Sequence, residues 1–558
     1  METGKKREIP KKLLLCLLFG GILVMCLEMG LSILRPGAPG SLARHAVFWA
    51  GCFGILAAGT LLVSFWQPAA KAWAWLNEKL MSPETRKPWI DIALAVVAGA
   101  LLLHHFYVIL YYPVIPAGAS KLAPAMIALA AVTAVLGRSW RDRGTRLGAL
   151  LLVFLFERTW LKSTGISGRE VVYFSTGIYA VFVCYGLFAA LRPAVWKSFL
   201  KTVCGLWSLC AFGLCMAGIV TAWTGNPVHN LAGEPVRVYL GRLELFANSD
   251  ISGGWVVAGI AMAMTGFFLV RNAAARAGYL LTVFVSALTL SLTDSRSGFM
   301  MTAFLIAGMI CVSIWNGVIS KPEKLPKGKR ALTVLALVLC FALCFVLIVK
   351  GEQELTGAFM KVMDQKGMLV SAAHAEEIPA ADAAAELSPP DFVQRSVWTA
   401  NENEIGRPLT GRVNYWLYAL YYLRDHPVTL LTGLSVDGSA STVVWRPDHL
   451  HNLPLQILME GGIPALLLFL GLLLVFFIHA CRLWTRRGLL LWQRILPLPV
   501  LAILFQEMAE CLTHFSFGHP PITVFYFLMG CTVAVSRKIL SEEAGKTAGS
   551  ISQSITGG

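Results

Sequence analysis

The sequence predicts an all-α fold: a polytopic transmembrane helix bundle of about 12–14 spans with one large extracytoplasmic loop. Three observations lead there. The 558 residues are 56% hydrophobic and only 14% charged, where soluble domains carry about 25% charged residues. The apolar residues gather in runs of about 17–25, the length a helix needs to cross a bilayer. Lys and Arg collect in alternate connections between those runs, as a topology signal does. In lipid each span must satisfy its own backbone hydrogen bonds, so helices are the default. The roughly 10-residue alternating segments of a barrel are not visible.

Fourteen runs are expected to span, at 13–34, 43–65, 89–112, 121–137, 147–161, 170–191, 200–221, 251–270, 277–293, 298–317, 331–350, 453–479, 490–511 and 521–536. The first, behind the basic start "METGKKREIPKK", resembles a signal peptide in its flank. It is too long, and no small-residue cleavage site follows cleanly, so it is expected to remain as the first helix. The fourth and fifth are short. The expected organisation is transmembrane helices 1–11 in residues 1–350 and an extracytoplasmic loop with an amphipathic helix in 351–452. Helices 12–14 follow in 453–536, and a cytoplasmic tail in 537–558.

With the N-terminus inside, the N-terminus, the inside connections and the tail hold 30 of the 47 Lys and Arg. That bias favours cytoplasmic N- and C-termini. The outside segments are then 222–250, the turn "TDSRSG", the long loop and "THFSFGHPP". The net charge of +15 is read as this topology signal, and no nucleic-acid partner is expected. Most of the 13 cysteines lie inside apolar runs, none lies in the long loop, and no CxxC pair occurs. Neither a disulfide framework nor a zinc site is expected. No P-loop, HExxH, GxSxG or outside DxD motif is present, so ATP drive is not supported.

In the long loop, Ser371 to Pro390 is rich in Ala, Glu and Pro, a composition that cannot bury a core. "GRVNYWLYALYYLRDHP" has an apolar, aromatic face at helical spacing and is expected to lie at the outer interface. The loop ends in "DHLHN", directly against a span. His451 there is a candidate general base, or an interface histidine, with His449 as a competitor. Asn452 can cap the following helix.

Arg412 in "LTGRVNYW" and Arg296 in "TDSRSG" stand at outer helix mouths. Either can serve as an anion clamp, since a guanidinium binds phosphate oxygens in a fork. Asp294 is a possible ion-pair partner for Arg296. Arg237, Arg242 and Asp250 precede the eighth span, and Glu507 and Glu510 lie near the outer end of the thirteenth. Acidic residues at membrane depth are costly and often functional, though a buried structural pair explains them equally. His104 and His105 are read as structural.

These segments, in this order and on this side, resemble the O-antigen ligase and O-antigen polymerase-like superfamily of integral membrane glycosyltransferases. In "HNLPLQILMEGG", His451 and Asn452 are followed by nine residues and then Gly462. The family pattern next has Gly, Thr or Tyr three positions on, where this chain has Ala465. "TGRVNYWLYALYYLRDHP" resembles the family's arginine segment and "TDSRSG" its Ser-Arg turn. "GRLELFANSDISGG" resembles the earlier Arg to Asn-Pro-Asn segment loosely, with Asp250 where Asn is usual.

The resemblance covers roughly residues 200 to 530. It implies glycan transfer from an undecaprenyl-diphosphate-linked glycan donor to a hydroxyl of a glycan, lipid or protein acceptor. The site would face the outer side of the bacterial inner membrane, among membrane lipids. His451 would be the base; Arg412, Arg296 and Arg242 would bind the diphosphate; Asn452, Asp294 and Asp250 would support them. Inversion at the anomeric carbon is implied, with no cofactor, nucleotide or metal. A secondary transporter would show internal repeats and mid-membrane charges, which are not evident; a non-catalytic assembly protein is the remaining class.

Overall fold

The computed structural model describes residues 18, 20–26, 42–79, 87–102, 115–162, 168–239, 242–246, 249–293, 295–319, 327–365, 410–436, 450–508 and 520–556. Its helices fall where the apolar runs lie. In order they are α1 (Leu42–Phe65), α2 (Gln67–Lys79), α3 (Pro88–Leu102), α4 (Ile115–Leu136), α5 (Arg143–Lys162) and α6 (Gly168–Ile178). A π-helical turn, Tyr179–Cys184, leads from α6 to α7 (Leu187–Ala190) and then α8 (Pro193–Thr224). After a hairpin come α9 (Ser249–Leu269), α10 (Ala273–Thr293), α11 (Arg296–Ile319) and α12 (Lys327–Gln365). The last group is α13 (Thr410–Asp425), α14 (Thr429–Thr432), α15 (Leu453–Thr485), α16 (Leu491–Ile495), α17 (Pro497–Glu507) and α18 (Pro520–Thr556).

Among the described residues, seven helices are long and apolar enough to cross a membrane. They are Pro193–Thr224, Ile251–Leu269, Ala273–Thr293, Ser297–Val318, Leu332–Gly351, Leu453–Thr485 and Pro521–Glu542. Shorter apolar helices lie at Pro88–Val97, Ala123–Leu136 and Glu170–Cys184. The protein is an all-α, polytopic helix bundle. The expected first span is described only at residues 18 and 20–26, which are helical. The expected thirteenth is two helices, α16 and α17, because Pro497 and Pro499 interrupt it; proline lacks the N–H that would continue the helix. The expected boundary at 350 is not a helix end. "KGEQELTGAFMKVMDQ" is mostly good helix former, and α12 runs on to Gln365.

The bundle is ordered by burial. α9 and α18 are its innermost spans; Trp255 to Ala263 and Ile522 to Val535 are almost wholly buried. α9 packs on α8 and α10, α15 on α5 and α18, and α11 on α12 and α17. α12 is peripheral: Leu332, Leu335, Val338, Leu339, Leu343 and Leu347 are all exposed, a face that suits lipid.

Among the described residues, the segment before α9 carries the exception to an all-helical pattern. β1 (Val236–Tyr239) pairs antiparallel with β2 (Arg242–Leu245), with Arg237 opposite Glu244. Val236, Leu243 and Leu245 are buried against α8, α9 and α10. Gly218 of α8 makes the space: a Cβ there would lie 2.8 Å from Leu245 Cδ2 and 2.9 Å from Leu243 Cδ2.

Candidate active site

The turn 450–452 is held from three sides. Leu450 is buried. Its N–H donates to Gln456 Oε1 at 3.0 Å, and its carbonyl accepts from the Trp416 indole of α13 at 2.9 Å. His451 follows with φ of 50°. That left-handed conformation is uncommon outside glycine, though histidine is among the residues enriched there. Asn452 returns to extended backbone, with φ −157° and ψ 106°, and caps α15. Its Oδ1 accepts from Leu455 N–H at 3.0 Å, and its amide donates to the Met508 carbonyl at the end of α17 at 2.9 Å. Pro454 lies in the first helical turn, where no donor is needed. The half-buried His451 ring lies near-parallel to Tyr415 of α13, centroids 6.2 Å apart at 18°.

α13 has two faces. Ala419, Leu423, Tyr415 and Tyr422 pack with Leu450, Met459 and Leu455. Leu417, Leu420 and Tyr421 are exposed, and the Arg424 guanidinium lies 5.0 Å from the Tyr421 ring centre while pairing with Asp425 at 2.8 Å. This hydrogen bond holds the Asp425 carboxyl below the usual carboxylate range. An exposed apolar stripe beside a charged end suits the headgroup boundary.

α15 is broken below the turn. Gly462 has φ 68° and ψ −169°, and Pro464 follows. The break frees the carbonyls of Met459 and Glu460, and neither is left unsatisfied. Leu434 N–H donates to Met459 O at 2.7 Å and Ser435 N–H to Glu460 O at 3.0 Å. These donors come from the chain leaving α14, which lies so close that a Cβ on Gly433 would run into Glu460 O. The Glu460 side chain is fully buried. Tyr173 of α6 donates to its Oε2 at 2.9 Å and Gln456 to its Oε1 at 2.8 Å.

The structure thus brings the His451 ring against Tyr415 of α13, three residues after Arg412 in the same helix. The Arg412 side chain lies outside the described residues. Arg296 opens α11 beside the buried Ser295, whose carbonyl accepts from Phe299 N–H at 3.0 Å. The Arg296 side chain and all of Asp294 lie outside the described residues, as do the Asp250 side chain, His449, Glu510, His104 and His105. Arg242 is exposed at the start of β2. Arg237 is a cross-strand partner of Glu244, at 2.8 Å, which is the structural reading of that residue. Glu507 is fully buried at the end of α17. Among the described residues, no group of three or more His, Cys, Asp or Glu could hold a metal ion.

Sequence reasoning did not single out Tyr415, Trp416, Gln456, Glu460 or Tyr173. The signal for two of them was present: in "LQILMEGG", Gln456 and Glu460 are polar residues four apart inside an apolar run, and an ionisable residue at membrane depth is costly unless paired.

No curated protein matches the chain. Residues 280–470 match the family model described as O-antigen ligase. That segment runs from within α10 to within α15 and includes Arg296, Arg412, His451, Asn452 and Gly462. Over residues 280–470, about a third of its length, the chain is similar to the O-antigen ligase family.

Proposed function

We propose that this protein transfers glycan from an undecaprenyl-diphosphate-linked donor to an acceptor hydroxyl at the outer face of the bacterial inner membrane, as an O-antigen ligase-type enzyme. One observation carries the reading. His451 sits in a left-handed turn at the N-terminus of a membrane helix, stacked on Tyr415 one turn from Arg412. The backbone of Arg412 and the His451 turn lie on adjoining elements, which supports reading a base and an anion clamp as parts of one site.

In the proposed reaction an imidazole nitrogen of His451 accepts the proton of the acceptor hydroxyl. The acceptor oxygen attacks the anomeric carbon, and the bond from that carbon to the diphosphate breaks in the same displacement. The diphosphate leaves with the electron pair, and the anomeric centre inverts. Arg412, Arg296 and Arg242 hold the leaving diphosphate. Fixed donors aimed at developing charge contribute about 3–4 kcal/mol each where measured in other enzymes. A positioned base contributes roughly 10²- to 10⁴-fold. The glycosyl diphosphate is already activated, so the step needs no nucleotide, and a base with a guanidinium clamp needs no metal. The N- and C-termini lie in the cytoplasm, which puts the 450–452 turn outside.

The test is a deletion strain complemented with wild-type or His451→Ala protein, followed by analysis of surface glycans and lipid-linked intermediates. Accumulation of long lipid-linked chains by the His451→Ala strain supports ligation. Accumulation of single lipid-linked repeats makes the protein a polymerase using the same donor. Wild-type behaviour of His451→Ala removes the base assignment and moves weight to a transporter or an assembly protein.

A further inference from the structure

Between His451 and the helix break lies a short half-helix, residues 453–461, that carries two buried polar side chains in an apolar setting. Gln456 is 1% exposed and Glu460 is 0% exposed. Their hydrogen bonds form a line with a fixed direction. The backbone N–H of Leu450 can only donate, so the end of the Gln456 amide facing it, at 3.0 Å, is the oxygen. The amide nitrogen then points down the helix and must find an acceptor. It finds Glu460 Oε1 at 2.8 Å. The other oxygen of Glu460 accepts from the Tyr173 hydroxyl at 2.9 Å, from a helix 287 residues earlier in the chain. Every group in the line is matched, and each fixes the orientation of the next.

We infer that Glu460 is a positioning residue for His451. It acts through Gln456 and the Leu450 peptide, and Tyr173 anchors it to the bundle. The inference rests on the proposed role of His451 for its kinetic part only. The Leu450 peptide immediately precedes the left-handed His451. Its N–H and its carbonyl are both held by side chains, Gln456 and Trp416. A left-handed non-glycine residue persists when its surroundings over-determine it. Gln456 is one of those determinants, and Glu460 decides which way the Gln456 amide faces.

The direction of the line gives a test that size and burial alone do not. Glu460→Gln is nearly isosteric but replaces an acceptor with an NH₂ group. Facing the Gln456 amide that donor has no acceptor, but facing Tyr173 it is accepted by the phenolic oxygen while the new amide oxygen at 460 still accepts from Gln456, so Glu460→Gln keeps the Gln456–Leu450 link and serves as the control. Gln456→Glu keeps an acceptor toward Leu450 but sets a second carboxyl against Glu460. The double variant Gln456→Glu with Glu460→Gln restores every match. The new amide at 460 donates to the carboxyl at 456 and accepts from Tyr173, and the carboxyl at 456 accepts from Leu450 N–H.

Two readouts on the full-length protein in detergent separate this inference from the proposed function. The first is amide hydrogen exchange at Leu450, which requires no turnover. Gln456→Glu is expected to speed it at least tenfold, Glu460→Gln to leave it near wild type, and the double variant to return it to within about threefold of wild type. The second is kinetics, with the lipid-linked glycan extracted from the deletion strain as donor. Gln456→Glu is expected to lower kcat at least tenfold at unchanged KM, since small misplacement of a reacting group can cost about 10²-fold; the double variant recovers most of it. Unchanged Leu450 exchange in Gln456→Glu overturns the positioning role, as does a double variant no better than Gln456→Glu alone. If exchange responds as expected while His451→Ala retains full transfer, the positioning stands and the base assignment fails.

Discussion

Gly462→Ala is the substitution whose cost follows most directly from the backbone. The residue has φ 68° and ψ −169°, a region essentially reserved for glycine, where another residue is held at about 1–3 kcal/mol. The new Cβ would also lie 2.6 Å from the Leu430 carbonyl oxygen and 2.9 Å from the Leu431 carbonyl carbon. Both are backbone atoms of α14 and its end, so no rotamer relieves the contact, and forced overpacking costs about 1–3 kcal/mol. Pushing α14 away would also withdraw Leu434 and Ser435 from the carbonyls of Met459 and Glu460, at about 1 kcal/mol for each lost bond. The total is of order 4 kcal/mol, a large share of a typical stability of about 5–15 kcal/mol. Gly471→Ala, in the same helix, is the control. Its Cβ would meet Leu147 methyls at 3.5 and 3.6 Å, ordinary contact, and a helical Gly→Ala change gains about 0.4–1 kcal/mol. The assay is the thermal midpoint of each purified variant in one mild detergent. Gly462→Ala should melt well below wild type and Gly471→Ala at or above it. Equal midpoints would refute the assignment of Gly462 to a glycine-only break.

Three further outcomes are expected. Arg412→Lys should lose at least tenfold in transfer in the complemented strain, because a point charge does not reproduce a guanidinium fork; full activity would remove the bidentate clamp. Asn452→Ala loses both the cap on Leu455 and the tether to Met508, about 1 kcal/mol each, and the lost cap should speed exchange of the Leu455 amide about fivefold. Asn452→Asp keeps the cap and should leave that amide near wild type while still losing the tether. A thiol introduced as Ser371→Cys should react with a membrane-impermeant reagent in intact cells; labelling only after lysis would reverse the orientation.

The spans were legible because lipid imposes one rule on every exposed residue along a helix. The run read as 251–270 is the helix Ser249–Leu269, and 298–317 is Arg296–Ile319. The cap was legible too, since Asn before an apolar run has a local mechanism. The break in α15 was not, although "GGIP" marks it, because a run long enough to span is read as one straight helix. The surroundings of His451 were hidden for a different reason. Trp416 reaches Leu450 across 34 residues, and Tyr173 reaches Glu460 across 287. Hydrophobic periodicity reports which face of an element is apolar and carries nothing about which distant element it meets. The β-hairpin was missed because its two strands have four residues each, below the length at which alternation stands out.

The energies around His451 explain why so many weak contacts gather at one turn. A left-handed non-glycine residue costs roughly 1–2 kcal/mol. The opposing terms are the two hydrogen bonds on the Leu450 peptide and the two made by the Asn452 side chain, each worth about 1 kcal/mol net. Their sum exceeds the strain by only about 2–3 kcal/mol, so losing two or three of them brings the turn close to balance. A turn held this narrowly would drift if its anchors lay only within itself. Its anchors are instead deep: Gln456 and Glu460 sit below the turn in the half-helix, Tyr173 belongs to α6, and Gly462 and Pro464 end the half-helix so that α14 can clasp its freed carbonyls. The position of a half-buried histidine at the bundle's rim is therefore set by groups buried within it, and Gln456→Glu should alter transfer before it alters folding.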